Sequence, residues 1–297
     1  TTGVENAIVG GLAGDAMTTG SYNAVLGTSA LGANTKSNAN VAIGNSALAS
    51  HNLTSSTAAY NVAIGFNAGL SVSTGVQNTI IGGLAGDALT TGTNNVAMGY
   101  GALGSEDTGG QNVAIGVNAL NTANYDGNGL NVAVGYGAGS AVTTGTLNTI
   151  IGGLAGDALT SGAYNTAIGY QALGSEDAHG FNTAIGYLAL LTQNAGVDAY
   201  NVAVGSETGK NITTGVRNTI IGANAGDALT TGQNNIAIGY KALTTEDTGS
   251  SNVAIGYEAL HTQDYNGHAY NVAVGFHAGV SVTTGIQNTI IGGNAGD

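Results

Sequence analysis

The residues of this 297-residue chain that are best suited to acid–base catalysis are three pairs of adjacent acidic residues. They recur at intervals of 70 residues, as Glu106–Asp107, Glu176–Asp177 and Glu246–Asp247. Two carboxylates can share acid and base roles when they converge to within roughly 5 to 9.5 Å of each other. Neighbours in sequence need not converge, so the pairs by themselves predict no reaction.

The sequence evidence for other kinds of site, such as phosphate-binding and metal-binding sites, is weaker. The segment G-S-E-T-G-K at 205–210 is one residue shorter than a P-loop and is followed by Asn211 instead of Ser or Thr. The histidines show no repeated metal-ligand spacing; they are His51, His179, His261, His268 and His277. The sequence therefore predicts no catalytic residues, no cofactor and no resident metal. A cation held between Asp87 and Glu106 or Asp107 stays open as an alternative to solvated loop charges.

The amino-acid composition limits the kinds of partner that the chain can bind. Only 7% of the residues are charged, the net charge is −13, and the four basic residues are too few for a phosphate-binding surface. We expect no nucleic-acid partner. There are no runs of 18 apolar residues and nothing like a signal peptide at the start, so we expect no membrane insertion. Because Thr1 is not an initiator Met, we also expect the chain to be part of a longer protein.

The acid pairs belong to a repeat whose unit is a coil of about 17 residues. We number each coil from its first residue, which is always Asn, and count the coils from the N-terminus. The spacing is 17 residues, except for 21 after Asn40 and 19 after Asn112, Asn182 and Asn252. Four coils therefore make one 70-residue block. The first residues are Asn6, Asn23, Asn40, Asn61, Asn78, Asn95, Asn112, Asn131, Asn148, Asn165, Asn182, Asn201, Asn218, Asn235, Asn252, Asn271 and Asn288.

The coil consensus, N-V-A-I-G-Y-x-A-L, predicts a short strand that ends at a corner. Gly occupies position 5 of every coil, where it permits a positive φ, as at Gly65, Gly82, Gly99 and Gly116. Alternation along the strand puts positions 2 and 4 on one face, which we expect to be the core, and Asn and Ala on the other. The predicted fold is an all-β, parallel β-solenoid of about 17 stacked coils that forms a single segment, 1–297.

Two columns of residues support stacking. The invariant Asn predicts a side-chain hydrogen-bond ladder from coil to coil, which we favour over a simple preference of Asn for corners. Position 9 is Leu in two coils of each block and Gly in the other two, and where it is Gly, position 12 is aliphatic. We expect each coil to contribute one interior aliphatic side chain from either position.

Aromatic residues form two further columns, one at position 6 and one just before Asn. The first includes Tyr100, Tyr136, Tyr170, Tyr187, Tyr240 and Tyr257. Exposed rings in a column can stack on sugar rings, and they can equally pack between coils or chains. We favour packing and keep a glycan-binding role as the alternative.

The repeat also resembles known families. N-V-A-I-G-x-x-A, at 61–68, 112–119 and 252–259, resembles the head repeat of trimeric autotransporter adhesins. N-T-A-I-G-Y-x-A-L, at 165–173, is similar to repeats in bacteriophage tail fibres. The resemblance covers essentially the whole chain and implies a left-handed parallel β-roll, three parallel chains and an extracellular location on a cell or a virion. The coils here are longer than those of the adhesin heads, and no neck, stalk or anchor accompanies them.

The expected function is that of a structural or adhesive extracellular fibre, which acts as a rigid spacer and attachment surface. Its expected partners are copies of itself, most simply as a homotrimer, and a host-surface receptor or glycan. The small Ala residues at positions 3 and 8 are the predicted site of close approach between chains. The alternative is an ice- or crystal-binding solenoid, for which Thr at positions 13 and 14 would be the working surface.

Overall fold

A computed structural model describes residues 2–297, all of whose regular elements are short β-strands. Each of the seventeen strands spans three residues, positions 2 to 4 of a coil. The chain divides into two compact units, Thr1–Leu147 and Asn148–Asp297. The first contains β1 (Ala7–Val9), β2 (Ala24–Leu26), β3 (Val41–Ile43), β4 (Val62–Ile64), β5 (Thr79–Ile81), β6 (Val96–Met98), β7 (Val113–Ile115) and β8 (Val132–Val134). The second contains β9 (Thr149–Ile151), β10 (Thr166–Ile168), β11 (Thr183–Ile185), β12 (Val202–Val204), β13 (Thr219–Ile221), β14 (Ile236–Ile238), β15 (Val253–Ile255), β16 (Val272–Val274) and β17 (Thr289–Ile291).

Within each unit every strand pairs in parallel with the strand of the next coil, and equivalent positions face each other. In β4 and β5, for example, Val62 pairs with Thr79 and Ala63 with Ile80. This register places the coil positions in vertical columns, and it holds in the second unit as well. The prediction of an all-β parallel β-solenoid is confirmed.

The prediction of which strand face is buried was wrong. Position 3 is the interior position, since Ala63, Ile80 and Ala97 are fully buried, whereas Val62 and Ile64 at positions 2 and 4 are partly exposed. Asn at position 1 and Ala at position 8 are also inside, apart from the first and last coils. The Ala columns therefore cannot be the contact surface between chains that the sequence suggested.

The interior is narrow, which explains this inversion. Where position 3 carries Ile instead of Ala, position 9 of that coil and of the coil before it is Gly. A Cβ added to Gly226 would lie 3.1 Å from Ile220 Cδ1, so the interior has no room for both side chains. Packing at crystalline density leaves the larger aliphatic residues of positions 2 and 4 outside.

The predicted exchange between positions 9 and 12 is confirmed. Leu103 and Leu120 at position 9, and Val72 and Leu89 at position 12, are all fully buried. Position 9 has a positive φ whether it is Gly or Leu, as in Leu103 at +54°. A left-handed conformation costs a non-Gly residue about 1–2 kcal/mol, which the burial of a whole Leu side chain offsets.

The corner Gly at position 5 is needed for both its conformation and its lack of a side chain. Gly222 has φ of +126°, and a Cβ there would lie 2.6 Å from Gly239 O of the next coil. Gly153, at position 6, has neither a positive φ nor any neighbour closer than 3.6 Å to an added Cβ.

We expect Gly222→Ala to destabilise the protein by more than about 2 kcal/mol, because the backbone would be strained and two coils forced apart. Gly153→Ala, the control in the same unit, should cost less than about 1 kcal/mol. Urea unfolding followed by circular dichroism measures both. Equal losses of stability in the two variants would contradict this account of the corner.

Candidate functional site

The Asn column forms a hydrogen-bond ladder that also ties together the two corners of each coil. Asn78 N–H donates to Asn61 Oδ1 at 3.0 Å, and Asn95 N–H donates to Asn78 Oδ1 at the same distance. The Asn78 amide nitrogen donates to Gly92 O, at position 15 of its own coil, at 2.9 Å. The second unit repeats the pattern, for example between Asn218 and Asn235. Each side chain acts as acceptor and donor at once, which neither Asp nor Gly can do.

The acid pairs are split between the interior and the surface. Glu106, Glu176 and Glu246 are fully buried at position 12, the same inward position that Val72 and Leu89 occupy in other coils. Their neighbours at position 13 are partly or fully exposed. The interpretation of these pairs as loop charges is therefore wrong for the three glutamates. The signal was present in the sequence, because counting from Asn puts them at an interior position.

Backbone and amide groups surround the buried carboxylates. Glu246 Oε1 accepts a hydrogen bond from Gly249 N–H at 2.7 Å, and Glu246 Oε2 accepts one from Tyr265 N–H at 3.4 Å. Gln193, also at position 12 but one coil later, donates to Glu176 Oε2 at 3.1 Å. Interior partners of this kind stabilise a buried charge that would otherwise be costly.

The polar interior continues into the next coil of each block. Gln193 Oε1 accepts from the Asn201 amide at 2.9 Å, and Gln263 bonds to both Asn252 and Asn271 at 3.0 Å. In the first unit the Tyr125 hydroxyl fills this place; it donates to Asn112 Oδ1 at 2.6 Å and accepts from Asn131 Nδ2 at 3.3 Å. Coils with an apolar position 12 thus alternate, two by two, with coils in which polar groups extend the Asn ladder.

Two groups of side chains have metal-ligand spacing. Glu176, Asp177 and His179 form one, and Glu246, Asp247 and Asp264 the other, each with one ligand atom per residue within 4.8 Å of the others. Among the described residues Asp87 joins neither group. Protein groups already donate to the carboxylates of Glu176 and Glu246, and Glu176 Oε1 also lies 3.5 Å from His179 Nδ1. We assign no cation to either group.

The outer face of each unit is aliphatic and bordered by aromatic rings. We use "outer face" for positions 2 and 4 of the strands, where Val, Ile and Thr predominate and side chains are partly exposed. Position 6 and the residue before Asn form its two edges. The position-6 tyrosines are exposed, from 41% at Tyr240 to 64% at Tyr136; the others are Tyr100, Tyr170, Tyr187 and Tyr257.

Several edge rings stack on one another along the solenoid. Tyr164, Phe181 and Tyr200 form one ladder, with ring centroids 4.9 and 5.0 Å apart and interplanar angles of 8° and 16°. Neighbouring rings cover both π-faces of Phe181 and one π-face of each tyrosine, which reduces the ring surface that a sugar could contact. This geometry supports packing between coils as the role of the stacked rings.

Comparison with models of known protein families, with curated proteins and with solved structures found no match. Residues 2–297 contain no helix with the length and hydropathy that a membrane crossing requires. The geometry defines the class of the protein, a parallel β-solenoid repeat protein with an Asn ladder, buried carboxylates and an aliphatic outer face.

Burial raises the pKa of Glu246 from its usual 4.5 to about 7, against the opposing effect of the backbone donors at Gly249 and Tyr265. Between these two pH values the folded state binds more protons than the unfolded state, so stability must fall as pH rises from about 4.5 to about 7. Burial also raises the pKa of Glu106.

We expect Glu246→Gln to be more stable than the parent chain at pH 8, by at most about 3 kcal/mol, and to show a smaller gain in stability on acidification to pH 5. Gln is already the residue at this coil position in Gln193 and Gln263. Asp247→Asn, at the exposed neighbour, is the control and should keep most of the parent's pH dependence, because the Asp247 charge contributes less than burial to the raised pKa of Glu246. Urea unfolding at a series of pH values measures the difference, and parallel pH profiles for all three proteins would contradict the prediction.

His51 occupies position 12 of the third coil and is fully buried. Neither ring nitrogen makes a hydrogen bond of normal geometry. Burial lowers the pKa of His51 from 6.5 to about 4, with the Ser73 backbone opposing this in part. The unfolded state therefore binds more protons between those values, and this residue makes stability fall as pH drops below about 6.5.

We expect His51→Gln to stabilise the protein by about 1 kcal/mol at pH 7, because the Gln amide can bond to Asn40 and Asn61 as Gln263 bonds to its neighbours. The gain should grow towards pH 5, where the parent loses stability. The variant Gln193→His should lose stability, because it removes the amide hydrogen bonds to Glu176 and Asn201. Thermal unfolding at both pH values tests the pair; a destabilised His51→Gln protein would refute the proposed bonding.

Proposed function

We propose that the chain is part of an extracellular structural or adhesive fibre in which parallel copies associate through their outer faces. The observation that carries this proposal is the apolar outer face itself. Every coil places an aliphatic residue or Met at position 4, outside the solenoid, where a monomer would be expected to place polar groups.

The size of this face suits association. In the unit Asn148–Asp297, nine coils spaced about 4.8 Å apart, each with about six residues of ~3.3 Å from edge to edge, give about 850 Å². A stable interface buries about 800 Å² per partner. A second copy in parallel would present the same columns at the same spacing, so that each aliphatic row meets an equivalent row.

The resemblance to adhesin heads and tail fibres favours three chains, each a left-handed roll. An aliphatic strip on each of three chains can face a common axis while the polar corners stay in solvent. In this proposal the assembly is a homotrimeric spacer on a cell or virion surface, and a host receptor or glycan binds outside the interface. The proposal includes no catalytic role and no nucleic-acid partner.

The alternative, a surface that binds ice or crystals, is less well supported. The Thr hydroxyls at position 13 donate to main-chain carbonyls of the following coil, as from Thr90 to Asp107 O at 2.9 Å and from Thr230 to Asp247 O at 3.0 Å. These hydroxyls serve coil stacking and are not free to order water as a flat array.

We expect the full chain to be trimeric at micromolar concentration by sedimentation velocity and light scattering. Ile168→Lys with Ile238→Lys, at position 4 of the tenth and fourteenth coils, should shift it to monomer because the charges would be desolvated in the interface. The matched control places the same two lysines at the exposed position 11 of those coils, as Ser175→Lys with Thr245→Lys, and should stay associated.

Circular dichroism confirms that each variant is folded. A parent chain that is monomeric, or a control that dissociates as readily as the test variant, would refute association through the outer face. Clear thermal hysteresis by the parent chain would favour the ice-binding alternative.

A further inference from the structure

Two pairs of exposed tyrosines are stacked on successive coils of the second unit. Tyr240 and Tyr257 have ring centroids 5.3 Å apart with an interplanar angle of 28°. Tyr170 and Tyr187 lie 5.9 Å apart at 15°. Between 41% and 50% of each residue is exposed, so both pairs are accessible to small reagents in solution.

The solenoid backbone holds each pair together. Every one of these tyrosines is at position 6, directly after a corner Gly, and the strands before them are paired in register. The hydrogen-bond ladder continues past the corner, since Glu258 N–H donates to Tyr240 O at 2.9 Å and Leu188 N–H donates to Tyr170 O at 3.0 Å. The two rings of a pair therefore leave the backbone one above the other and stay within reach.

We propose that Tyr240–Tyr257 and Tyr170–Tyr187 are sites of oxidative coupling, at which a one-electron oxidant such as a peroxidase links two coils of the same chain through dityrosine. Each phenol gives up one electron to the oxidant and one proton to water. The two tyrosyl radicals then form one carbon–carbon bond between ring positions ortho to the oxygens. Each coupled carbon loses its hydrogen as the phenol is restored, so the pair loses two hydrogens in total and the oxidant gains two electrons.

The positions of the tyrosines in the sequence limit coupling within the chain to these two pairs. The chain has 13 tyrosines, yet in the described residues the ring contacts include only these two Tyr–Tyr pairs. The neighbouring ladder has Tyr164 and Tyr200 on either side of Phe181, which has no phenol to oxidise. Tyr257 also stacks on Phe276 at 5.3 Å, so Tyr240 is its only phenolic neighbour in the column.

The link would close the chain across one coil. Tyr240 and Tyr257 are 17 residues apart, as are Tyr170 and Tyr187. A covalent bond over such a loop restricts the unfolded chain and resists separation of the two coils, as a disulfide would, in a protein that contains no cysteine. The inference rests on ring geometry and exposure within one chain, in which the pairs lie at an edge of the outer face.

The experiment treats the full chain with a haem peroxidase and hydrogen peroxide. We expect dityrosine fluorescence, a mass decrease of two hydrogens per link, and a cross-linked peptide that joins Tyr240 to Tyr257, formed faster than the Tyr170–Tyr187 link because its rings are closer. The modified chain should migrate as a monomer in a denaturing gel, and the yield should be independent of protein concentration. Its thermal unfolding midpoint should rise.

Two variants separate geometry from general tyrosine reactivity. Tyr257→Phe keeps a stacked ring, as Phe276 does in the next coil, and should abolish the first link while the second persists. Phe181→Tyr should create new coupling in the ladder with Tyr164 and Tyr200. Links that form mainly between chains, a Tyr257→Phe protein with unchanged mapped products, or a folded parent chain without either link would each overturn the proposal.

Discussion

The structure depends on one hydrogen bond, from the backbone N–H of each coil's Asn to the side-chain oxygen of the Asn in the coil before it. The strands are only three residues long, and strands so short give little register by themselves. The Asn side chain adds a buried bond at the start of every strand, and its amide nitrogen reaches across the interior to the opposite corner. Because the oxygen and the nitrogen have different partners, a coil that slipped by one residue would lose both bonds. The ladder thus fixes the register along the stack and the width of each coil together.

Because the width of each coil is fixed, the interior is small, and the bulky aliphatic residues at positions 2 and 4 lie on the outer face. Asn, Ala and one larger aliphatic side chain fill a coil, and position 3 takes Ile only where position 9 is Gly. The usual arrangement of a soluble domain is thereby partly reversed, with amides and carboxylates inside and Val, Ile and aromatic rings on the outer face. The proposed association through the outer face would leave few charges necessary on that surface, in keeping with a composition of only 7% charged residues.

The fold and part of the candidate site could be predicted from the sequence. Invariant spacing from Asn to Asn predicted parallel coils, the ladder and the exchange of Leu103 against Leu89, since each depends only on counting residues. Alternation along a strand separates two faces without saying which is buried, and the usual association of Val and Ile with cores led to the wrong choice. The buried Glu106 and Glu246 were missed because an acid followed by another acid resembles a solvated loop. Stacking of Tyr240 on Tyr257 depends on side-chain rotamers, which spacing does not determine.

The three 19-residue coils and the buried glutamates occur together once in each 70-residue block, whereas the 21-residue coil that begins at Asn40 has no glutamate in the coil before it. Glu106, Glu176 and Glu246 each lie in a 17-residue coil that is followed directly by a 19-residue coil. Within its own coil Glu246 accepts one backbone hydrogen bond, because Gly249 N–H reaches only one of its two oxygens. The longer coil that follows contains a further donor in two cases, Tyr265 N–H for Glu246 and the Gln193 amide for Glu176, whereas Glu106 Oε2 makes no hydrogen bond of normal geometry. A buried carboxylate and a longer coil thus occur together in each block, and the coils on either side of each such pair have an apolar residue at position 12.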